Sequence, residues 1–212
     1  MIPNQKEIVR NGYDLGSFAY RSDDAPDDFG PYAEWVELLA GLVPSGARVV
    51  DLGCGCGLPA TKLLASHFDV TGVDLSPAQI ERARRLVPQA RFVCDDMSGV
   101  TFAEGSLAAV VSFYAIIHLP LDEHPALFRR ILGWLQPGGY LLAIVGYEAW
   151  TGVEAYHDIE GAEMAWSHAD ESTNVRWIEE AGFEVLEVRF VPEDDSGHSL
   201  VLARRPPIDG LD

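Results

Sequence analysis

Positive charge is scarce in this chain: 15 lysines and arginines stand against 33 acids in 212 residues, a formal net charge of −18 at pH 7. A protein that grips nucleic acid neutralises phosphates with a basic stripe. Here the pairs Arg84–Arg85, Arg129–Arg130 and Arg204–Arg205 are scattered, so nucleic acid and anionic membranes are not expected partners. A cationic ligand is compatible with the acidity, which also serves solubility. Long apolar runs are missing too, and none approaches the roughly 18 residues of a membrane span. The opening "MIPNQKEIVR" is mixed and polar, without the apolar core of a signal peptide. A soluble, cytoplasmic protein is expected.

Cysteine is limited to Cys54, Cys56 and Cys94, an odd count that argues for reduced thiols over a disulfide framework. "CGC" is too short for the usual zinc pair and no second Cys/His pair follows at a useful distance, so no metal is expected. All three lie in or beside predicted buried strands and read as small core residues.

What is present is alternation. Helical spacing of apolar residues marks "PYAEWVELLAGLVPSG", "LPATKLLASH", "PAQIERARRLVP", "LDEHPALFRRILGWLQ" and "ESTNVRWIEEAG". Ser76 and Asp170 are placed as N-caps of the third and fifth of these. Between and after them, "ARVVDLGC", "DVTGVDLS", "ARFVCDD", "LAAVVSFYAI", "GGYLLAIVGY", "FEVLEVRFV" and "HSLVLARR" read as strands. Strands alternating with helices predict a parallel sheet covered on both faces. "PEDDSG" is too short for a crossover, so the last two strands form a hairpin and the final one runs antiparallel.

In such a sheet, ligands bind beyond the carboxyl ends of the strands, where strand order reverses. "VVDLGCGCGLPA" puts Gly53, Gly55 and Gly57 at that end of the first strand, leaving bare backbone for a ligand to approach. Asp74 ends the second strand, where a carboxylate can take both hydroxyls of a ribose, and Asp96 ends the third, where it can accept from an adenine amino group. Each acid alone also fits a solvated strand end. The nicotinamide fingerprint G-x-G-x-x-G would need glycine at Leu58, so a nicotinamide oxidoreductase is disfavoured.

"VVDLGCGCG", "VTGVDLS" and "LQPGGYLLAIV", in this order, resemble three motifs of the class I S-adenosylmethionine-dependent methyltransferases, of the small bacterial type that acts on metabolites or natural products. The resemblance runs from about Tyr13 to Arg205. It implies one domain with a doubly wound, Rossmann-like, seven-stranded, mostly parallel sheet, an antiparallel last strand and helices on both faces. The expected layout is an N-terminal lid and helix (1–45), a cofactor-binding core (46–147), an acceptor-side loop (148–170), and a last helix with terminal hairpin (171–205). It also implies S-adenosylmethionine as cofactor and S-adenosylhomocysteine as product.

Carried over by resemblance, Asp51, Gly53 and Gly55 pack under the methionine part of the cofactor, and Asp74 takes the ribose with Leu75 beside the adenine. Asp96 and Met97 stand at the adenine edge. "SFYAIIHL", with Phe113 and Tyr114, contacts the methionyl amine and opens the acceptor pocket. Tyr13 and Tyr20 of "YDLGSFAY" cover the cofactor, or simply pack. No Asn/Asp-Pro-Pro-aromatic motif follows the fourth strand, which argues against nucleobase amines as acceptors.

A sulfonium methyl is already activated, so transfer to an O, N or S atom of a small molecule rests mainly on positioning. A general base helps with a high-pKa acceptor. His118 and His168 are the candidates, with His157 between them; each also fits a surface or capping role. A limb in the pH–rate profile near 6.5 is expected from such a histidine. Trp150, Tyr156, Met164 and Trp166 suit a flat apolar acceptor such as an aromatic ring, or seal the core under a lid. A monomer or homodimer is expected. The alternative is a cofactor-binding protein of this fold with a non-methylating role in cyclisation or regulation.

Overall fold

The computed structural model describes residues 2, 4–24, 30–156, 159–193 and 196–207. Its main sheet has seven strands in the order β3-β2-β1-β4-β5-β9-β8. These are β1 (Arg48–Leu52), β2 (Asp69–Asp74), β3 (Arg91–Cys94), β4 (Leu107–Ser112), β5 (Leu135–Gly146), β8 (Glu184–Glu193) and β9 (Ser196–Arg204). β1 to β5 pair in parallel, and β9 runs antiparallel to both β5 and β8, as the short "PEDDSG" turn requires. Strand order reverses between β1 and β4, so their carboxyl ends frame a crevice.

β4, "LAAVVS", is buried at every position, as a central strand covered on both faces must be. One face of the sheet packs on Leu127, Phe128 and Ile131 of α5 (His124–Trp134) and on Ile178 of α6 (Glu171–Ala181). The other packs on Trp35, Val36 and Leu39 of α2 (Pro31–Ala40) and on Leu64 of α3 (Ala60–Leu64). The two sequence-assigned caps are in place. Ser76 Oγ accepts from Gln79 N–H at 3.1 Å at the start of α4 (Pro77–Leu86), and Asp170 Oδ1 accepts from Thr173 N–H at 2.7 Å at the start of α6.

Three expectations change. Residues expected as an acceptor-side loop include an antiparallel hairpin, β6 (Trp150–Ala155) and β7 (Glu163–His168), because Met164 and Ala165 of β7 have a core to meet. That core comes from α1 (Gln5–Tyr20), a helix the periodicity did not announce. Gly12 and Gly16 let α1 lie directly against Glu163 and Tyr156. Finally, Cys54 and Cys56 are buried but Cys94 is exposed, since β3 is an edge strand with little over it. No described helix is long and apolar enough to cross a membrane.

Candidate functional site

β1 ends at Leu52 and the chain turns through Gly53 (φ 77°) and Gly55 (φ 54°), left-handed values that cost a side-chain-bearing residue. Asp74, at the end of β2, pins this turn. Its Oδ2 accepts from Gly55 N–H at 2.8 Å and its Oδ1 from Ser76 N–H at 2.9 Å. A Cβ on Gly55 would meet nothing within 4 Å. It would project into a cleft lined also by Asp74, Leu75, Asp96, Met97 and Phe113. Gly53 lines the same cleft, yet a Cβ there would collide with the Ala115 side chain, so its glycine serves the protein's own packing as well. Asp51 lies beneath the turn rather than in the cleft: it is buried, and its Oδ2 takes the Thr61 hydroxyl at 2.6 Å.

Burial dominates the electrostatics here. It raises the Asp51 carboxyl to about 7, against the Thr61 hydrogen bond and with help from the nearby Asp74 charge. It raises Asp74 to about 6, against the bonds from Ser76 and Gly55. Burial would raise Asp96 too, but bonds from Lys6 and Ser98 win and hold it below its ordinary value.

Helix α1 lies over this cleft and contributes Lys6, Val9, Tyr13 and Tyr20 to its wall. Lys6 Nζ reaches Asp96 Oδ2 at 2.7 Å, Ser98 Oγ at 2.7 Å and Glu123 Oε2 at 2.6 Å. Farther along, Ser76 Oγ donates to Asp14 Oδ1 at 2.5 Å, and Arg82 of α4 binds the carbonyls of Ser17 and Arg21. With α1 in this position the cleft holds about 80 Å³. Pockets for cofactor-sized ligands hold roughly 300–1,000 Å³, and α1 forms one wall of this smaller space.

A second hollow, of about 490 Å³, adjoins the first and shares Tyr13, Tyr20, Tyr114 and His118 with it. Tyr156 and Trp166 line it as well. His118 is buried at the wall between the two. Its Nδ1 lies 2.8 Å from the Ala165 carbonyl, which can only accept, so the proton of the neutral ring sits on Nδ1. Nε2 therefore accepts from the Tyr13 hydroxyl at 3.0 Å. Burial drives the His118 pKa down to about 4, so the ring is neutral at pH 7.

Trp150 and His168 do not join this group. They line a neighbouring shallow depression with Glu148 and Glu154, and His168 Nδ1 donates to the Glu148 carbonyl at 2.8 Å. Burial lowers the His168 pKa. His157 lies outside the described residues.

Among the residues of the second hollow that escaped the sequence reading are Tyr32 of α2, and Glu193 and His198 on the β8–β9 hairpin. The hairpin itself was legible, so a polar His198 opening an apolar strand was the available signal. Tyr114, which was expected there, holds φ at 58°, an unusual conformation for an aromatic residue and one that clusters at functional sites. Among the described residues, no group of three or more His, Cys, Asp or Glu side chains is arranged to hold a metal.

Comparison with known proteins adds a family. Residues 49–139 match the family model described as a methyltransferase domain. Over 115 residues the chain is 36% identical to the 2-methyl-6-phytyl-1,4-hydroquinone methyltransferase of Synechocystis sp., covering 52% of this chain and 35% of that one. Over 110 residues it is 42% identical to the trans-aconitate 2-methyltransferase of Delftia acidovorans, covering 50% and 40%. The chain thus spans less than half the length of both curated relatives. Among solved structures, the (4+2) cyclase SpnF aligns over 98% of both chains with a TM-score of 0.75 at 18% identity, a likeness of fold alone.

Proposed function

We propose that this chain is a class I S-adenosylmethionine-dependent methyltransferase and that it methylates an O, N or S atom of a small molecule held in the second hollow. The carrying observation is the Gly55–Asp74 cradle, whose open side faces a cleft that shares Tyr13 and His118 with an aromatic hollow. The residues fit the cofactor: the empty space at Gly55 suits a methionyl chain, Asp74 keeps lone pairs for ribose hydroxyls, and Leu75 and Met97 offer apolar surface to an adenine. Bound there, S-adenosylmethionine supplies a methyl group already activated on sulfur and leaves as S-adenosylhomocysteine.

The protein's share is chiefly to hold and orient, because an aligned acceptor some 3–3.5 Å away needs little else. Tyr13 and His118 stand at the junction of the two spaces, His118 Nε2 accepting from the Tyr13 hydroxyl and holding that ring in place. The depressed pKa of His118 makes it a weak base, which favours positioning over proton abstraction. The hollow's volume of about 490 Å³ suits a small acceptor, and we read the enzyme as cytoplasmic.

The test is incubation of methyl-labelled cofactor with a panel of amines, phenols, thiols and carboxylic acids. Label in one acceptor class supports the reading. Tight S-adenosylhomocysteine binding with every acceptor unlabelled would favour a non-methylating role instead.

A further inference from the structure

We propose that the second hollow is an aromatic cage for an organic ammonium ion, with Glu193 as its counter-charge. The acceptor is then an amine rather than a phenol or a carboxylic acid. This rests on the methyltransferase reading above and narrows it.

Six aromatic side chains line the hollow: Tyr13, Tyr20, Tyr32, Tyr114, Tyr156 and Trp166. Several of them are in ring contact. Tyr13 meets Tyr20 and Tyr156 edge-on, with ring centroids 5.7 and 5.6 Å apart, while Tyr32 lies 6.2 Å from Tyr114. Aromatic faces are electron-rich and attract cations, more strongly where water is excluded. Burial pushes the pKa of Tyr13, Tyr20, Tyr32, Tyr114 and Tyr156 upward, so these rings stay uncharged.

The charge of the hollow is acidic. No Lys or Arg is among its described lining residues, and His118 is neutral at pH 7. Arg21 is a cation at its margin; its guanidinium sits 5.9 Å from the Tyr20 ring centroid and does not line the space. Glu193 is the only carboxylate among the described lining residues. Burial alone would raise its pKa, but His198 and Tyr114 outweigh that and hold it low, so it is ionised. His198 Nδ1 lies 3.2 Å from Oε2, whereas Oε1 is shielded from solvent and has no hydrogen-bond partner among the described residues. An ammonium N–H would satisfy that oxygen. A carboxylate acceptor would instead face Glu193 across an uncharged wall. The chain's net charge of −18 draws cations toward the site as well.

Methyl transfer needs a nitrogen lone pair, so the ammonium first gives its proton to bulk water; Glu193, held ionised, pairs with the cation as it binds.

Isothermal titration of S-adenosylhomocysteine comes first, because failure to bind overturns the methyltransferase reading and not the cage. Choline, its neutral carbon isostere 3,3-dimethylbutan-1-ol, and benzoate are then titrated into the protein with and without S-adenosylhomocysteine. Choline should bind at least about tenfold more tightly than either, the scale of a desolvated cation–π contact. Glu193→Gln should remove that advantage while S-adenosylhomocysteine affinity stays within about twofold. Tyr32→Leu should weaken choline more than the isostere. Equal or tighter binding of the isostere or of benzoate, no choline binding, or an unchanged choline affinity in Glu193→Gln would overturn the cage.

Discussion

Lys6 Nζ lies 2.7 Å from Asp96 Oδ2 and 2.6 Å from Glu123 Oε2, so one ammonium ties the first turn of α1 to the end of β3 and to the turn before α5. Burial works against this charge, but the bonds to Asp96 and Glu123 prevail and raise its pKa. All three side chains keep about 30% of their surface exposed. Each pair is therefore worth no more than ~1 kcal/mol. Lys6→Met should leave the melting temperature nearly unchanged but speed cofactor dissociation about threefold to tenfold, as measured by stopped-flow release. An unaltered off-rate would mean that α1 is no lid.

Asp74 gives a pH signature. In the free protein its pKa is about 6, and hydroxyl donors favour the ionised form. Protons should compete with the cofactor below that value, raising the dissociation constant about tenfold per pH unit. Asp74→Asn should cost ~1.5–3 kcal/mol of binding at pH 8 and flatten the dependence. Calorimetry between pH 5 and 8 decides it, and a flat wild-type curve would refute the assignment.

The two cradle glycines should fail differently. Gly55→Ala puts a methyl into open space at φ 54°, so the protein should fold with a loss of ~1–2 kcal/mol and bind the cofactor at least about tenfold more weakly. Gly53→Ala drives a methyl into Ala115 and should lower the melting temperature far more. Matched melting curves for the two variants would contradict this.

Asp51 makes folding pH-dependent. Its folded pKa of about 7 exceeds the unfolded value, so the native state holds the extra proton between about pH 4 and 7. Its contribution is full below that window and lost as pH rises through it. Buried His118 and His124, both lowered to about 4, act oppositely between about pH 4 and 6.5 and mask the slope. Asp51→Asn, which keeps an oxygen for Thr61, should expose it. Denaturant melts should show the variant gaining on wild type by ~1 kcal/mol per pH unit from pH 4 to 7.

For His118, burial overrides the limb near pH 6.5 expected from sequence: any limb it causes lies near 4. His118→Gln should lower turnover about tenfold to a hundredfold by releasing Tyr13, with no new feature in the pH–rate profile between 5 and 8. A limb near 6.5 that persists in this variant would point to another group.

The parts of this molecule visible in its sequence are those decided locally. The Gly53–Gly55 turn, the caps at Ser76 and Asp170 and the apolar run of β4 each depend on neighbours within a few residues. Helix α1 was hidden because Gly12 and Gly16, which dilute its apolar stripe, are required by contact with a hairpin about 150 residues away. β6 and β7 were hidden for the reciprocal reason. Glu193 and His198 look like ordinary hairpin polar residues until β9 is inserted beside β5. His168 and Trp150 lie in the expected stretch and on the same hairpin face as Trp166, but farther along it, at a depression that meets the second hollow at Trp166 and His198.

The place of β9 also sets a timetable for synthesis. Val145 of β5 pairs with Ser199 of β9, so β5 emerges from the ribosome 54 residues before its second neighbour exists. At the ~5–20 residues per second of translation this is a wait of roughly 3–10 s. Throughout it the buried residues Leu141 to Val145 present an unpaired strand edge, and β8 follows with no partner at all. β1 to β4, with the cradle they carry, can already be assembled. The nascent protein therefore has its nucleotide-facing half in order while its other half is at its most adhesive, and a ribosome stalled before Ser196 would hold it there.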